Sequence, residues 1–234
     1  MKKITFLLLA IFFSTVGYSQ FTPIVEGFES TSGPDDAPST NWTLDTGNWL
    51  VFDNGVGTAL RWGISTSTAP PTQVYQGTNS AYMNRQTSFP EGQTVEDYLA
   101  SPLVNIPQNG QLKFWTRGFL AGNQGTVYQI KIAPENAPDP TNPIYYTLVQ
   151  QWTEVDLTTT YNIYEEKVVS LSAYAGQQVY VSFVKVYTQP LGVLDGDRWL
   201  IDNVTILEQC LDPTNLAAGG ITQTSANLSW GNPS

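Results

Sequence analysis

Arg198-Trp199-Leu200-Ile201-Asp202-Asn203-Val204-Thr205-Ile206 reads as a β-strand that carries an ionisable side chain where a strand should be oily. Strand side chains alternate with a period of two, which predicts Leu200, Asp202, Val204 and Ile206 on one face and Trp199, Ile201, Asn203 and Thr205 on the other. Asp202 then points with the aliphatics. A carboxylate buried in that way is costly unless it is paired, hydrogen-bonded or bound to a metal. The competing reading is an Asp at a strand end that bonds loop amides. Arg198, the nearest base, lies four residues back, roughly 13 Å along the strand.

Outward from this strand, the chain is a succession of short β-prone runs broken by Gly, Pro, Asn and Asp. Phe21–Ser30, Asn41–Leu44, Trp49–Phe52, Arg61–Ile64 and Ala81–Met83 come first, with turn chemistry at Asp45-Thr46-Gly47-Asn48 and Asp53-Asn54-Gly55. Gln111–Arg117 alternates Leu112 and Phe114 against Lys113, Trp115 and Arg117. Val127–Ile132 and Ile144–Val149 read as a hairpin, Tyr161–Val168 as a further strand, and Val179–Val186 as the most β-prone segment. No segment keeps helical periodicity over a dozen residues. Many short strands with frequent turns predict an all-β, antiparallel sandwich.

Composition sets the limits on function. Met1-Lys2-Lys3 followed by the apolar run Ile4–Phe13 reads as a secretory signal peptide over residues 1–19, with cleavage after Ser19 and Gly17 at the minus-three position. The residue after that cut is Gln20 and not cysteine, so a lipoprotein anchor is not indicated, and no later apolar run could span a membrane. The net charge is −10, from 20 acids and 10 bases, and loss of Lys2 and Lys3 takes it to −12. Such a chain repels polyanions, so nucleic acid is excluded as a partner. The single Cys210 forbids an intrachain disulfide. The absence of histidine removes Ser-His-Asp and Cys-His catalysis and His-based zinc sites. Catalysis would have to run on carboxylates, Lys or Tyr, and no spacing singles out such a pair.

Six short pieces occur in an order that matches a known family. Phe28-Glu29, Trp42, Asp97-Tyr98-Leu99-Ala100-Ser101-Pro102, Leu112-Lys113-Phe114-Trp115, Leu171–Phe183 and Ile201-Asp202-Asn203-Val204 together resemble the choice-of-anchor J domain. That group is similar to the cleaved-adhesin modules of secreted Bacteroidetes proteins and, more distantly, to MAM domains. The resemblance covers about residues 24 to 209. It implies a jelly-roll β-sandwich, non-catalytic, found beside exported peptidases, glycosidases and adhesins. It also implies a structural cation, calcium, near Glu29 and Asp202, with Asp97 as a possible third ligand. The loop before Trp62 departs from the acid-rich form of the family, offering only Asp53-Asn54-Gly55.

From Cys210 the character changes. Cys210–Leu216 and Ile221–Trp230 resemble the first two strands of a fibronectin type III domain, although only 25 residues remain against roughly 100 for an immunoglobulin-like sandwich. The expected organisation is a signal peptide at 1–19, a jelly-roll domain at 20–209 and a truncated fibronectin type III start at 210–234, with further domains beyond. The function expected is a secreted or cell-surface adhesion module for an extracellular glycan or protein. The alternative is an accessory domain of a larger secreted peptidase or glycoside hydrolase. Strand parity nominates Trp115, Arg117, Tyr180 and Lys185 as outward-facing ligand contacts.

Overall fold

A computed structural model describes residues 21–30, 41–57, 61–66, 73–86, 89–192, 195–209 and 214–231. The expected signal peptide and Cys210 lie outside the described residues. In chain order the strands are β1 (Ile24–Glu26), β2 (Trp42–Leu44), β3 (Gly47–Asp53), β4 (Gly63–Ser65), β5 (Ser80–Met83), β6 (Thr94–Ala100), β7 (Val104–Asn105), β8 (Gly110–Arg117) and β9 (Thr126–Pro134). Then come β10 (Thr147–Thr153), the single-turn helix α1 (Glu154–Leu157), β11 (Glu165–Ser170), β12 (Gln178–Thr188), β13 (Trp199–Glu208), β14 (Thr214–Gly219) and β15 (Asn227–Gly231).

The protein is an antiparallel β-sandwich, as the strand inventory predicts. One sheet of six strands runs β11-β8-β13-β5-β4, with β1 also on β13. The facing sheet of seven runs β10-β9-β12-β6-β3-β2, with β7 also on β12. Leu112, Phe114, Trp199 and Ile201 from the first sheet meet Leu99, Tyr128, Ile130, Val181 and Phe183 from the second in one core. Trp199 sits at its centre, its ring 5.4 Å from Trp62, 5.1 Å from Tyr128 and 5.9 Å from Phe183. Its indole N–H donates to Thr116 Oγ1 at 2.7 Å, so the one polar atom of the ring is satisfied.

The opening strand departs from strict alternation. The register of β13 against β8 shifts between Asp202 and Thr205, and Asn203 adopts φ 46°, a left-handed conformation that Asn tolerates better than most residues. This bulge changes which residues face inward. The core takes Trp199 and Ile201 before the bulge and Val204 and Ile206 after it. The predicted grouping of Asp202 with Val204 and Ile206 is therefore corrected. Asp202 lies on the outer face, paired with Trp115, just as Leu200 is paired with Arg117. Both are nonetheless fully buried, because a loop folds across that face.

At the far end, β14 and β15 pair only with each other, and Trp230 is 62% exposed. No helix among the described residues is long and apolar enough to cross a membrane.

Replacing Trp199 with Ala removes the ring that joins both sheets and should lower unfolding stability by about 3–5 kcal/mol in a denaturant titration. Trp199→Phe, which keeps most of the packing but loses the bond to Thr116, should cost less than half as much.

Candidate functional site

The loop that buries Asp202 runs from Gln73 to Asn79, and two carboxylates hold it. Asp202 Oδ2 accepts the amide N–H groups of Tyr75 at 3.0 Å and Gln76 at 3.1 Å, while Oδ1 accepts the Asn203 amide at 2.7 Å. Glu29 accepts the Thr78 amide at 3.0 and 3.1 Å, the Thr78 hydroxyl at 2.6 Å and the Asn79 amide at 3.1 Å. Side chains close the ends: Asn79 Nδ2 donates to the Phe28 carbonyl, and Asn203 Nδ2 donates to Gln76 Oε1. Of the two readings of Asp202, the loop-amide one is present.

Local backbone makes this clamp possible. Phe28 has φ 61°, which is unusual for a bulky residue; its ring is buried against Trp42 and Trp49, and its neighbour Glu29 is left exposed and facing the loop. At Gly77, with φ +79°, a Cβ would stand 2.2 Å from Glu29 Oε1, so a side chain there would be strained in backbone and would push the Glu29 carboxylate off the loop.

The electrostatics are unbalanced. Burial pushes the Asp202 carboxyl up to about 6, against the pull of its three amide donors, and the negative charge of Glu29 adds to the rise. Desolvation also works against ionised Glu29, but the hydrogen bonds from Thr78 and Asn79 outweigh it and hold that carboxyl below its usual range. Neither acid forms an ion pair among the described residues. Nor do three acidic or cysteine side chains converge on one point there.

The clamp presents aromatic surface. Tyr75 lies flat on Trp115, centroids 4.0 Å apart and planes at 10°, with Tyr164 at 5.5 Å from Tyr75. Trp115 does face away from the core, but Tyr75 covers it; the ring open to solvent is Tyr75, 37% exposed. Sequence reading missed Tyr75 because nothing in the polar, proline-containing stretch around it shows which face it meets.

The remaining nominated residues fall in three other places. Arg117 is on the outer face but not open to solvent: it is fully buried, its guanidinium 5.7 Å from Tyr164 and 5.8 Å from Phe119, with one N–H to the Asn162 carbonyl at 2.8 Å. Its Nε and Nη2 find no acceptor in the structure, and burial lowers its pKa. Lys185 is interior too, donating to the Asn84 carbonyl at 2.9 Å, and burial depresses it to about 8. Asp97 sits directly across from Lys185 in the seven-stranded sheet and bonds Gln86 Nε2 at 2.8 Å, its pKa raised to about 7 by burial. It belongs to a different sheet from Asp202 and is not part of the clamp. Tyr180 is half-buried on the outer face of the seven-stranded sheet, beside the cluster of Phe52, Tyr98 and Tyr146.

No protein-family model matches the chain. Hemagglutinin A of Porphyromonas gingivalis is 30% identical over 157 residues, spanning 60% of this chain and 6% of that much longer protein. Two solved structures share the fold: the K1 cleaved adhesin domain of Lys-gingipain from P. gingivalis W83, and the K2 domain of the same protein. The first has a TM-score of 0.50 at 22% identity and covers 81% of this chain and 99% of that one. The second has a TM-score of 0.50 at 21% identity, covering 80% and 98%. Over about four-fifths of its length the chain thus shares the β-sandwich architecture of those cleaved adhesin domains, 81% and 80% being covered.

Gly77→Ala should destabilise the protein by at least about 1 kcal/mol, read by thermal or urea unfolding. In the absence of divalent cations, native Asp202 holds its proton more tightly than the unfolded chain, where an Asp titrates near 4. Its contribution therefore favours folding below about pH 4 and is lost as the pH rises through about 6. Asp202→Asn should flatten the stability profile across that window, leaving the part that Asp97 extends to about pH 7.

Proposed function

We propose that this chain is a non-catalytic, secreted or cell-surface adhesion module that recognises an extracellular glycan or protein through Tyr75. The carrying observation is the flat Tyr75–Trp115 stack on a loop whose backbone is fixed by Asp202 and Glu29. A rigid aromatic face with its amide already anchored loses little conformational freedom on binding, and it offers the apolar surface on which a sugar ring or a partner side chain packs. The cleaved-adhesin fold and the likeness to Hemagglutinin A support the reading. The same site serves the second reading, an accessory domain of a larger secreted peptidase or glycoside hydrolase, which the much greater length of that relative favours. The β14–β15 hairpin, which pairs only with itself, is in either case read as fibronectin type III-like.

The clamp is also where calcium would act. Glu29 and Asp202 bring carboxylate oxygens to one loop, with the side-chain carbonyl of Gln76 beside them, and no lysine or arginine among the described residues forms an ion pair with either acid. An all-oxygen donor set with a double negative charge fits a hard divalent ion. Calcium at Glu29 and Asp202 would supply positive charge that cancels their repulsion, and backbone oxygens would complete its shell. Asp97 takes no part in this arrangement.

Two measurements separate the claims. Calcium should raise the melting temperature relative to a chelator, and Asp202→Asn should abolish the difference; an unchanged midpoint in the parent protein ends the calcium proposal. On an array of polysaccharides and extracellular-matrix proteins, Tyr75→Ala should weaken capture by about tenfold or more at unchanged stability. Full retention of capture by Tyr75→Ala would move the recognition surface elsewhere, with the Tyr180 face of the other sheet as the next to probe.

A further inference from the structure

One side wall of the sandwich differs from the rest. Among the described residues of the sandwich, nine large apolar side chains are exposed, and six of them fall between residues 144 and 168: Ile144, Leu148, Val155, Tyr161, Ile163 and Val168. This stretch carries β10, α1 and the edge strand β11. Val149 and Trp152 of β10, which pack against the core, are themselves only half-buried, so the core is open at this wall. A cavity of about 230 Å³ lies beside it, between Gly122 and residues 154–161.

The wall also holds a poorly protected sheet edge. Natural sheets guard their edges by short strands, charged side chains, prolines or bulges, because unpaired N–H and C=O groups invite another strand. Here β2 and β4 are three residues each, and β11 carries Glu165, Glu166 and Lys167. β10 is seven residues long, Thr-Leu-Val-Gln-Gln-Trp-Thr, with neither charge nor proline, and it pairs on one side only, with β9. Its single safeguard is a register shift between Leu148 and Gln150.

Charge indicates which partner can approach. Residues 140–153, which form β10 and the turn before it, contain no Asp, Glu, Lys or Arg in a chain of net charge −10, and the charges of the wall begin beyond them at Glu154, Asp156 and the Glu165-Glu166-Lys167 run of β11. Glu154 is already held by the amides of Gln124 and Thr126, and Asp156 by the Thr153 hydroxyl. A basic foreign partner would be drawn to the acidic surfaces instead, whereas two copies of an acidic chain repel wherever their charges face each other and meet best along an uncharged edge such as β10. An antiparallel strand is also complementary to itself about a two-fold axis.

We infer that this wall binds a second copy of the chain, through antiparallel pairing of β10 with its counterpart. Leu148 and Gln151 pair with Lys131 and Gln129 of β9, which alternate with the core residues Ile130 and Ile132. Both therefore lie in the outer row, and a register that sets Leu148 against Gln151 across the seam keeps like faces together. The contact gains backbone hydrogen bonds and covers Val149 and Trp152.

Sedimentation equilibrium of the protein from about 1 µM to about 1 mM should show a reversible monomer–dimer exchange. Amide hydrogen exchange across 147–153 should slow as concentration rises, while the rest of the sandwich is unaffected. Leu148→Lys together with Gln151→Lys places like charges across the seam and should weaken the dimer by about tenfold or more at unchanged melting temperature. A monomer at the highest concentration, protection that appears elsewhere, or a dimer indifferent to the two lysines would each overturn the inference. If the lysine variant melts early, the exchange measurement on the unmodified protein decides alone.

Discussion

The bond between the Asp202 carboxylate and the amides of Tyr75 and Gln76 is the contact on which the candidate site depends. It joins the most central strand of one sheet to a loop more than a hundred residues earlier in the chain. It exists because β13 bulges at Asn203, which lets the strand keep Val204 and Ile206 in the core while Asp202 faces out. Glu29 completes the grip from the other end of the same loop. Tyr75 can lie on Trp115 because its backbone is no longer free to do otherwise.

This use of a carboxylate recurs. Asp197 accepts the amides of Phe119, Leu120 and Arg198, Glu154 those of Gln124 and Thr126, and Glu26 that of Phe28. A hydrogen bond to a charged acceptor is stronger than a neutral one, about 1.5–3 kcal/mol net. Each loop tied in this way is fixed without a disulfide, which the single Cys210 could not provide. The cost appears as raised carboxyl pKa values at Asp197 and Asp202, where burial outweighs the amide donors. An acidic composition in this protein is therefore in part an internal fastening system and not merely a solvated surface.

The basic residues behave in a complementary way. Arg117 and Arg198 lie beside aromatic rings, flanking Phe119 from 5.8 and 5.0 Å, and Lys185 is sunk between the sheets next to Asp97. Their charge is spent inside the outer face of one sheet and inside the core. The β10 strand itself carries no charge, which is what lets a chain of such net charge offer an edge for the proposed self-association.

Alternation in Gln111–Arg117 and Val179–Val186, with the turn residues between strands, was enough to predict an antiparallel sandwich, because sheet faces are set by local period and turn chemistry. The same alternation located Trp115 on the outer face and singled out Asp202, while the pairing of Glu29 with Asp202 came from the family resemblance and not from periodicity. It failed at Asn203, since a bulge is one extra residue whose position depends on what the neighbouring strands demand, and so it put Asp202 on the wrong face. The expectation of exposure failed for Arg117, which keeps its outer side but lies under a covering loop, and for Lys185, which shares the inward side of Val181 and Phe183. Periodicity reports which side of a strand a residue occupies, whereas burial depends on what else folds over that side. Tyr75 is the clearest case: the sequence determined an aromatic in a polar loop, and only the tertiary structure, by closing two distant carboxylates on that loop, decided that it would become a surface.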